Sequence, residues 1–136
     1  MKGRGVLHPQ LSRVLAETGH TDLLGLADSG LPLPATVERV DLGFAPGQPA
    51  LLEVLDAVLS ELRVEGYLLA TESREHAPWL VEALAARLPA AGVAWVPHEE
   101  LKARCRSARA LVRTGEVRPF ANVLLVSGVD FAPPAR

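Results

Sequence analysis

The sequence has 136 residues, 49 % apolar and 22 % charged, with 14 Lys and Arg against 16 Asp and Glu for a formal charge of -2. That length predicts one domain around one main core, and the composition excludes a disordered chain. The charge balance argues against nucleic acid as the main partner, because a phosphate-tracking face needs clustered Lys and Arg.

Among the basic residues only Arg104, Arg106, Arg109 and Arg113 crowd together, enough for one local positive patch. The single cysteine, Cys105, excludes an internal disulfide and a CxxC redox or zinc motif, and is expected to pack on a helix face. The first residues lack the apolar run of a signal peptide, and no window approaches eighteen uninterrupted apolar residues. A soluble cytoplasmic protein, with no membrane partner, is the expectation.

In chain order, Leu11, Val14 and Leu15 recur at helical spacing after Pro9, so a helix runs to Glu17 with Gly19 as its stop. Leu23 to Ala27 reads as a buried strand, ended by Asp28-Ser29-Gly30. Pro32 and Pro34 then fix an extended loop, and Val37 to Leu42 alternates as a second strand. Pro46, Gly47 and Pro49 mark a turn before the clearest helix, Leu51 to Leu59.

Val64 to Ala70 is a strand, and Pro78 to Leu88 a helix with Leu80, Val81, Leu84 and Leu88 on one face. Ala91 to Val96 is a strand, Glu99 to about Val112 one or two helices, and Val123 to Val126 a last buried strand. This alternation predicts an α/β layered sandwich, a single domain over 1–136. Its sheet is largely parallel or mixed, with helices on both faces, which explains strands that read as plain apolar runs. So many apolar residues in a short chain also predict buried subunit contacts.

The common nucleotide and hydrolase motifs are absent: GxxxxGK[ST], GxGxxG after a strand, GxSxG and HExxH. The four histidines share no close metal spacing. Candidate groups therefore come from loops at strand and helix ends. His20 lies where the chain enters the first strand, and an imidazole exchanges protons near neutral pH. Asp28, where that strand ends, can bind a hydroxyl, fix a histidine tautomer or close an Asx-turn.

His98 and Lys102 share a helix face. Phe120 and Asn122 stand directly before the last strand, one offering an aromatic face and the other a donor and an acceptor. Glu72, Glu75 and His76 follow the third strand and rank behind these. An extended Leu23 to Ala27 separates His20 from Asp28 by roughly 20 Å or more. Either the loops curl back, or a neighbouring subunit supplies one of the two.

Four segments carry a resemblance: Gly19-His20-Thr21-Asp22; Ala27-Asp28-Ser29-Gly30-Leu31-Pro32-Leu33-Pro34; His98-Glu99-Glu100-Leu101-Lys102; and Arg113 to Asn122, RTGEVRPFAN. In this order and spacing, over essentially the whole chain, they resemble the D-ribose pyranase family, which is related to the L-fucose mutarotases. The resemblance implies interconversion of the pyranose and furanose forms of ribose, without metal or organic cofactor. It also implies a homodecamer of two stacked five-membered rings with sites at subunit interfaces.

Carried over by position, His20 matches the proton donor, and Asp28 and His98 match sugar-binding residues. Phe120 and Asn122 belong to the segment closing over the sugar, and Lys102 lies near it. Ribose members show Tyr-Ala-Asn where this chain has Phe120-Ala121-Asn122, so the ring is kept and a hydroxyl lost. A mutarotase for fucose or another sugar, and a non-catalytic sugar-binding ring protein, are the alternatives.

Overall fold

The computed structural model describes residues 1–131. Six strands form one mixed sheet in the order β2-β5-β1-β6-β3-β4. They are β1 Leu23–Ala27, β2 Glu38–Asp41, β3 Val64–Ala70, β4 Gly92–Val96, β5 Ala110–Arg113 and β6 Val123–Ser127. Only β6 runs against its neighbours, β1 and β3, while the β2–β5, β5–β1 and β3–β4 pairs are parallel. The helices are α1 Pro9–Glu17, α2 Leu51–Leu59, α3 Ser73–His76, α4 Pro78–Arg87 and α5 His98–Arg104.

Side chains of a strand alternate between sheet faces, and here both faces are covered. Leu24, Leu26, Leu69, Val112, Val123 and Leu125 pack toward α1, α2 and α4. Ala27, Leu68, Ala70, Leu111 and Leu124 pack with Leu101 of α5 and with Cys105 on the opposite face. Continuous apolar strands follow directly from this two-sided burial. Each fully buried leucine, such as Leu55 on α2 or Leu124 on β6, stabilises the fold by roughly 1.5–3 kcal/mol. Gly25 is required by the same packing, because a Cβ there would stand 2.4 Å from Leu111 Cδ2.

Three expectations need correction. Residues 110–113 are a strand, not the end of a helix: α5 stops at Arg104, a 3-10 turn spans Cys105–Ser107, and β5 then pairs with both β1 and β2. Four apolar-rich residues after a helix carry no period of their own, and non-local pairing decides their state. Gly19 is not the stop of α1, which ends on extended Thr18, its hydroxyl bonded to Val14 O. The left-handed residue of this turn is Thr21, at φ 70°.

Nor do three of the four arginines stand free as one patch. Arg104 pairs with Glu100, Arg109 with Asp22 and Arg113 with Asp41. Cys105 packs as expected, 2 % exposed, and burial pushes its thiol pKa up. Among the described residues no helix is long and apolar enough to cross a membrane.

Candidate active site

The topology gathers the working groups at one end of the sheet. Strands β1, β3, β4 and β5 all finish there, and antiparallel β6 begins there. The carboxyl ends of parallel strands are where open α/β sheets bind ligands. At this end lies an open cleft of about 530 Å³, walled by Asp28 to Pro32, by His98 and by the 116–122 segment. Asp28, His98, Phe120 and Asn122, singled out from the sequence, all line it.

Asp28 and Asn122 are 8 % and 3 % exposed. The Asp28 N–H donates to Asn122 Oδ1 (2.9 Å), and Asn122 Nδ2 donates back to Asp28 Oδ2 (3.2 Å). Asp28 Oδ1 accepts the N–H groups of Gly30 (3.0 Å) and Leu31 (2.9 Å), the Asx-turn anticipated for this position. A buried carboxylate is tolerated only with such partners. The turn fixes its orientation without exhausting its lone pairs.

Phe120 forms the aromatic wall. Its backbone is left-handed, at φ 56°, and its carbonyl accepts the hydroxyl of Ser73 (2.9 Å). The ring lies between two imidazoles: His76 stacked at 4.8 Å and 24°, His98 edge-on at 5.0 Å and 74°. The His98 N–H donates to the Glu72 carboxylate, while its buried Nδ1 has no partner among the described residues. The Glu72 pKa is lowered by a backbone hydrogen bond within its own residue, then by the Thr71 hydroxyl and the His98 N–H.

Two site residues escaped the sequence reading, Glu116 and Arg118. Glu116 is 3 % exposed and accepts a bidentate pair from Arg118, Nε at 2.9 Å and Nη2 at 3.0 Å. It also accepts the Leu51 N–H (3.2 Å) at the start of α2, where a helix favours negative charge. The Arg118 bond leads in pulling its pKa from 4.5 to about 2, against the opposing effect of burial. The Arg118 guanidinium lies 3.4 Å over the Trp79 ring, so the cleft wall is tied to α4 as well. Acid and base two residues apart in a loop look like solvated charges, and the nearby Pro119 was the only structural cue.

Gly115 lets this loop reach the 45–48 turn. A Cβ at Gly115 would sit 2.5 Å from the backbone of Gln48, whereas the glycine donates its N–H to Pro49 O (2.9 Å).

His20 and Lys102 stand apart from the cleft. His20 precedes β1 at the other end of the sheet, where Thr21 N–H donates to Ser127 O and His20 Nε2 lies 2.9 Å from Glu65 Oε2. The loops do not curl back to bring His20 to Asp28. Lys102 pairs with Glu99 (2.9 Å) and lines a neighbouring hollow with Pro32, Leu33, Pro34 and Arg106. Among the described residues no group of three or more His, Cys, Asp or Glu is placed to hold a metal ion.

Comparison with known proteins finds relatives over nearly the whole chain. A D-ribose pyranase of Laribacter hongkongensis is 48 % identical over 131 residues, covering 96 % of this chain and 100 % of its own. One from Chromobacterium violaceum is 49 % identical over 133 residues, at 96 % and 100 % coverage. The structure of Bacillus subtilis RbsD complexed with D-ribose superposes with a TM-score of 0.92 at 36 % identity, covering 96 % of this chain and 100 % of that one. The family model described as the RbsD / FucU transport protein family matches residues 1–130, and the chain belongs to that family.

Proposed function

We propose that this protein is a D-ribose pyranase, a cofactor-independent isomerase interconverting the six- and five-membered ring forms of ribose. What carries the reading is similarity over the full length of curated D-ribose pyranases, together with a fold shared with a ribose-bound relative. The cleft supports it chemically. Asp28 and Asn122 offer fixed acceptors and a donor to sugar hydroxyls, and Phe120 gives an apolar ring face to stack on. Lys102 serves the rim of the cleft from its neighbouring hollow.

Ring opening removes the proton of the anomeric hydroxyl and adds one to the ring oxygen as the C–O bond breaks. Closure through a different hydroxyl reverses both transfers, so no redox partner or covalent intermediate is needed. His20 is the proton donor in this scheme. In this reading the imidazole, which lies beside Glu65 across the sheet from the cleft, serves the cleft of a neighbouring subunit. On the family resemblance, the 1–136 domain works as one subunit of a cytoplasmic homodecamer, two five-membered rings with sites at the interfaces.

Proton NMR saturation transfer on equilibrated D-ribose, with and without catalytic amounts of protein, tests the activity. Faster pyranose–furanose exchange is expected, with L-fucose in a parallel arm. Acceleration of fucose alone would replace the assignment with that of a fucose mutarotase. Sugar binding without acceleration would leave a non-catalytic binding protein.

A further inference from the structure

One short turn touches both aromatic walls of the cleft without lining it. Strands β3 and β4 run parallel with Ala70 opposite Val96, so the segments leaving them emerge side by side. The first continues as Glu72 and α3, and the second begins α5 at His98. The Glu72 carboxylate accepts the His98 N–H at 3.1 and 3.2 Å. Next in sequence, the fully buried Ser73 donates its hydroxyl to Phe120 O, 47 residues away. One helical turn on, His76 stacks on the Phe120 ring.

We propose that Glu72, Ser73 and His76 are the positioning residues of the sugar cleft, holding Phe120 left-handed and edge-on to His98. The inference rests on the cleft being the sugar site. A phenylalanine at φ 56° is in a conformation that L side chains disfavour, and it persists only where its surroundings impose it. Ser73 fixes the carbonyl on one side of that residue and His76 fixes the ring on the other. Glu72 sets the start of α5, so His98 meets the ring at a defined angle.

Because these residues act through Phe120 and His98, their effects are tested by double-mutant cycles. Ser73→Ala is expected to raise the KM for D-ribose about two- to tenfold, the range spanned by one neutral hydrogen bond, with a smaller change in kcat. In a Phe120→Ala background the same substitution should change KM by less than about twofold. An equal factor in both backgrounds, with a lowered Tm, would reduce Ser73 to general stability and overturn the proposal. His76→Ala, at a side chain 45 % exposed, runs the same cycle if Ser73→Ala does not fold.

A second readout needs no turnover. With ring-labelled histidine, the Cε1–H resonance of His98, assigned by its loss in His98→Gln, carries the ring-current shift of Phe120. Ser73→Ala and His76→Ala should move it toward its position in Phe120→Ala. If it stays put, the turn does not position the ring. Should the wild type leave ribose exchange unaccelerated, the functional assignment fails while this shift still judges the positioning.

Discussion

Asn122 and Asp28 hold each other by reciprocal hydrogen bonds, each side chain answering a polar group that the other could not leave bare in a buried position. Asn122→Ala removes the acceptor of the Asp28 N–H and the donor to its carboxylate. The orphaned buried groups should lower unfolding free energy by about 1–3 kcal/mol, read by urea denaturation, and ribose exchange should fall toward the uncatalysed rate. Asn122→Asp keeps an acceptor but sets two carboxylates together. Like charges side by side in a buried position should leave it less stable than wild type.

Glu116 gives the fold an acid limb. Its carboxyl ionises at about 2 in the folded chain against an ordinary 4.5. Between those values the unfolded chain binds more protons, so stability rises with pH through the window. The contribution is complete above 4.5 and lost as the pH falls toward 2. Glu116→Gln should therefore be less stable at pH 7, on the order of a few kcal/mol, with the gap to wild type narrowing from pH 5 to pH 2. A gap independent of pH would show that the Arg118 and Leu51 contacts do not depend on the charge.

At Gly115 the cleft loop and the 45–48 turn meet backbone to backbone. Gly115→Ala must push Gln48 aside, and should destabilise by about 1–3 kcal/mol while weakening ribose binding through the shifted 116–122 segment. Unchanged Tm and ribose affinity would mean that the turn yields without cost.

Phe120→Tyr adds the hydroxyl that the family resemblance leads one to expect at this position. One hydrogen bond to a neutral group is worth about 0.5–1.5 kcal/mol, so kcat/KM for ribose should rise by up to about tenfold. Phe120→Leu, which removes the ring between His76 and His98, should lower it. If tyrosine changes nothing, the ring face alone is what the cleft requires.

The layered fold was legible because burial on both faces leaves unmistakable apolar runs, as at Leu23 to Ala27 and Val123 to Val126. Where a state depends on distant partners the pattern carried less. Residues 110–113 are strand only because β1 and β2 flank them, and α3 is too short to show a helical period. At the site, Asp28, His98, Phe120 and Asn122 were recognisable from segments resembling a known family, and the fold brings all four together. Glu116 stayed hidden because nothing local marks a carboxylate as buried. It becomes distinctive only when the α2 N-terminus and Arg118 close on it.

His20 gives the sharpest test of how the site is assembled. It lies at the far end of the β1–β6 pair from Asp28, half-exposed beside Glu65. Removing an exposed side chain costs within about 0.5 kcal/mol, so His20→Ala should keep its Tm and assembly yet lose the acceleration of ribose exchange. A second variant, His98→Gln, disables the cleft itself. Neither should work alone if each site takes its imidazole from one subunit and its cleft from the next. Unfolded together in equal amounts and reassembled, the two would form intact sites by chance in about one case in four. Recovery near that fraction of wild-type exchange requires the site to be shared between chains. No recovery, from mixed assemblies shown by mass to have formed, would mean that the two imidazoles do not meet across an interface, whereas a fully active His20→Ala would remove His20 from the chemistry.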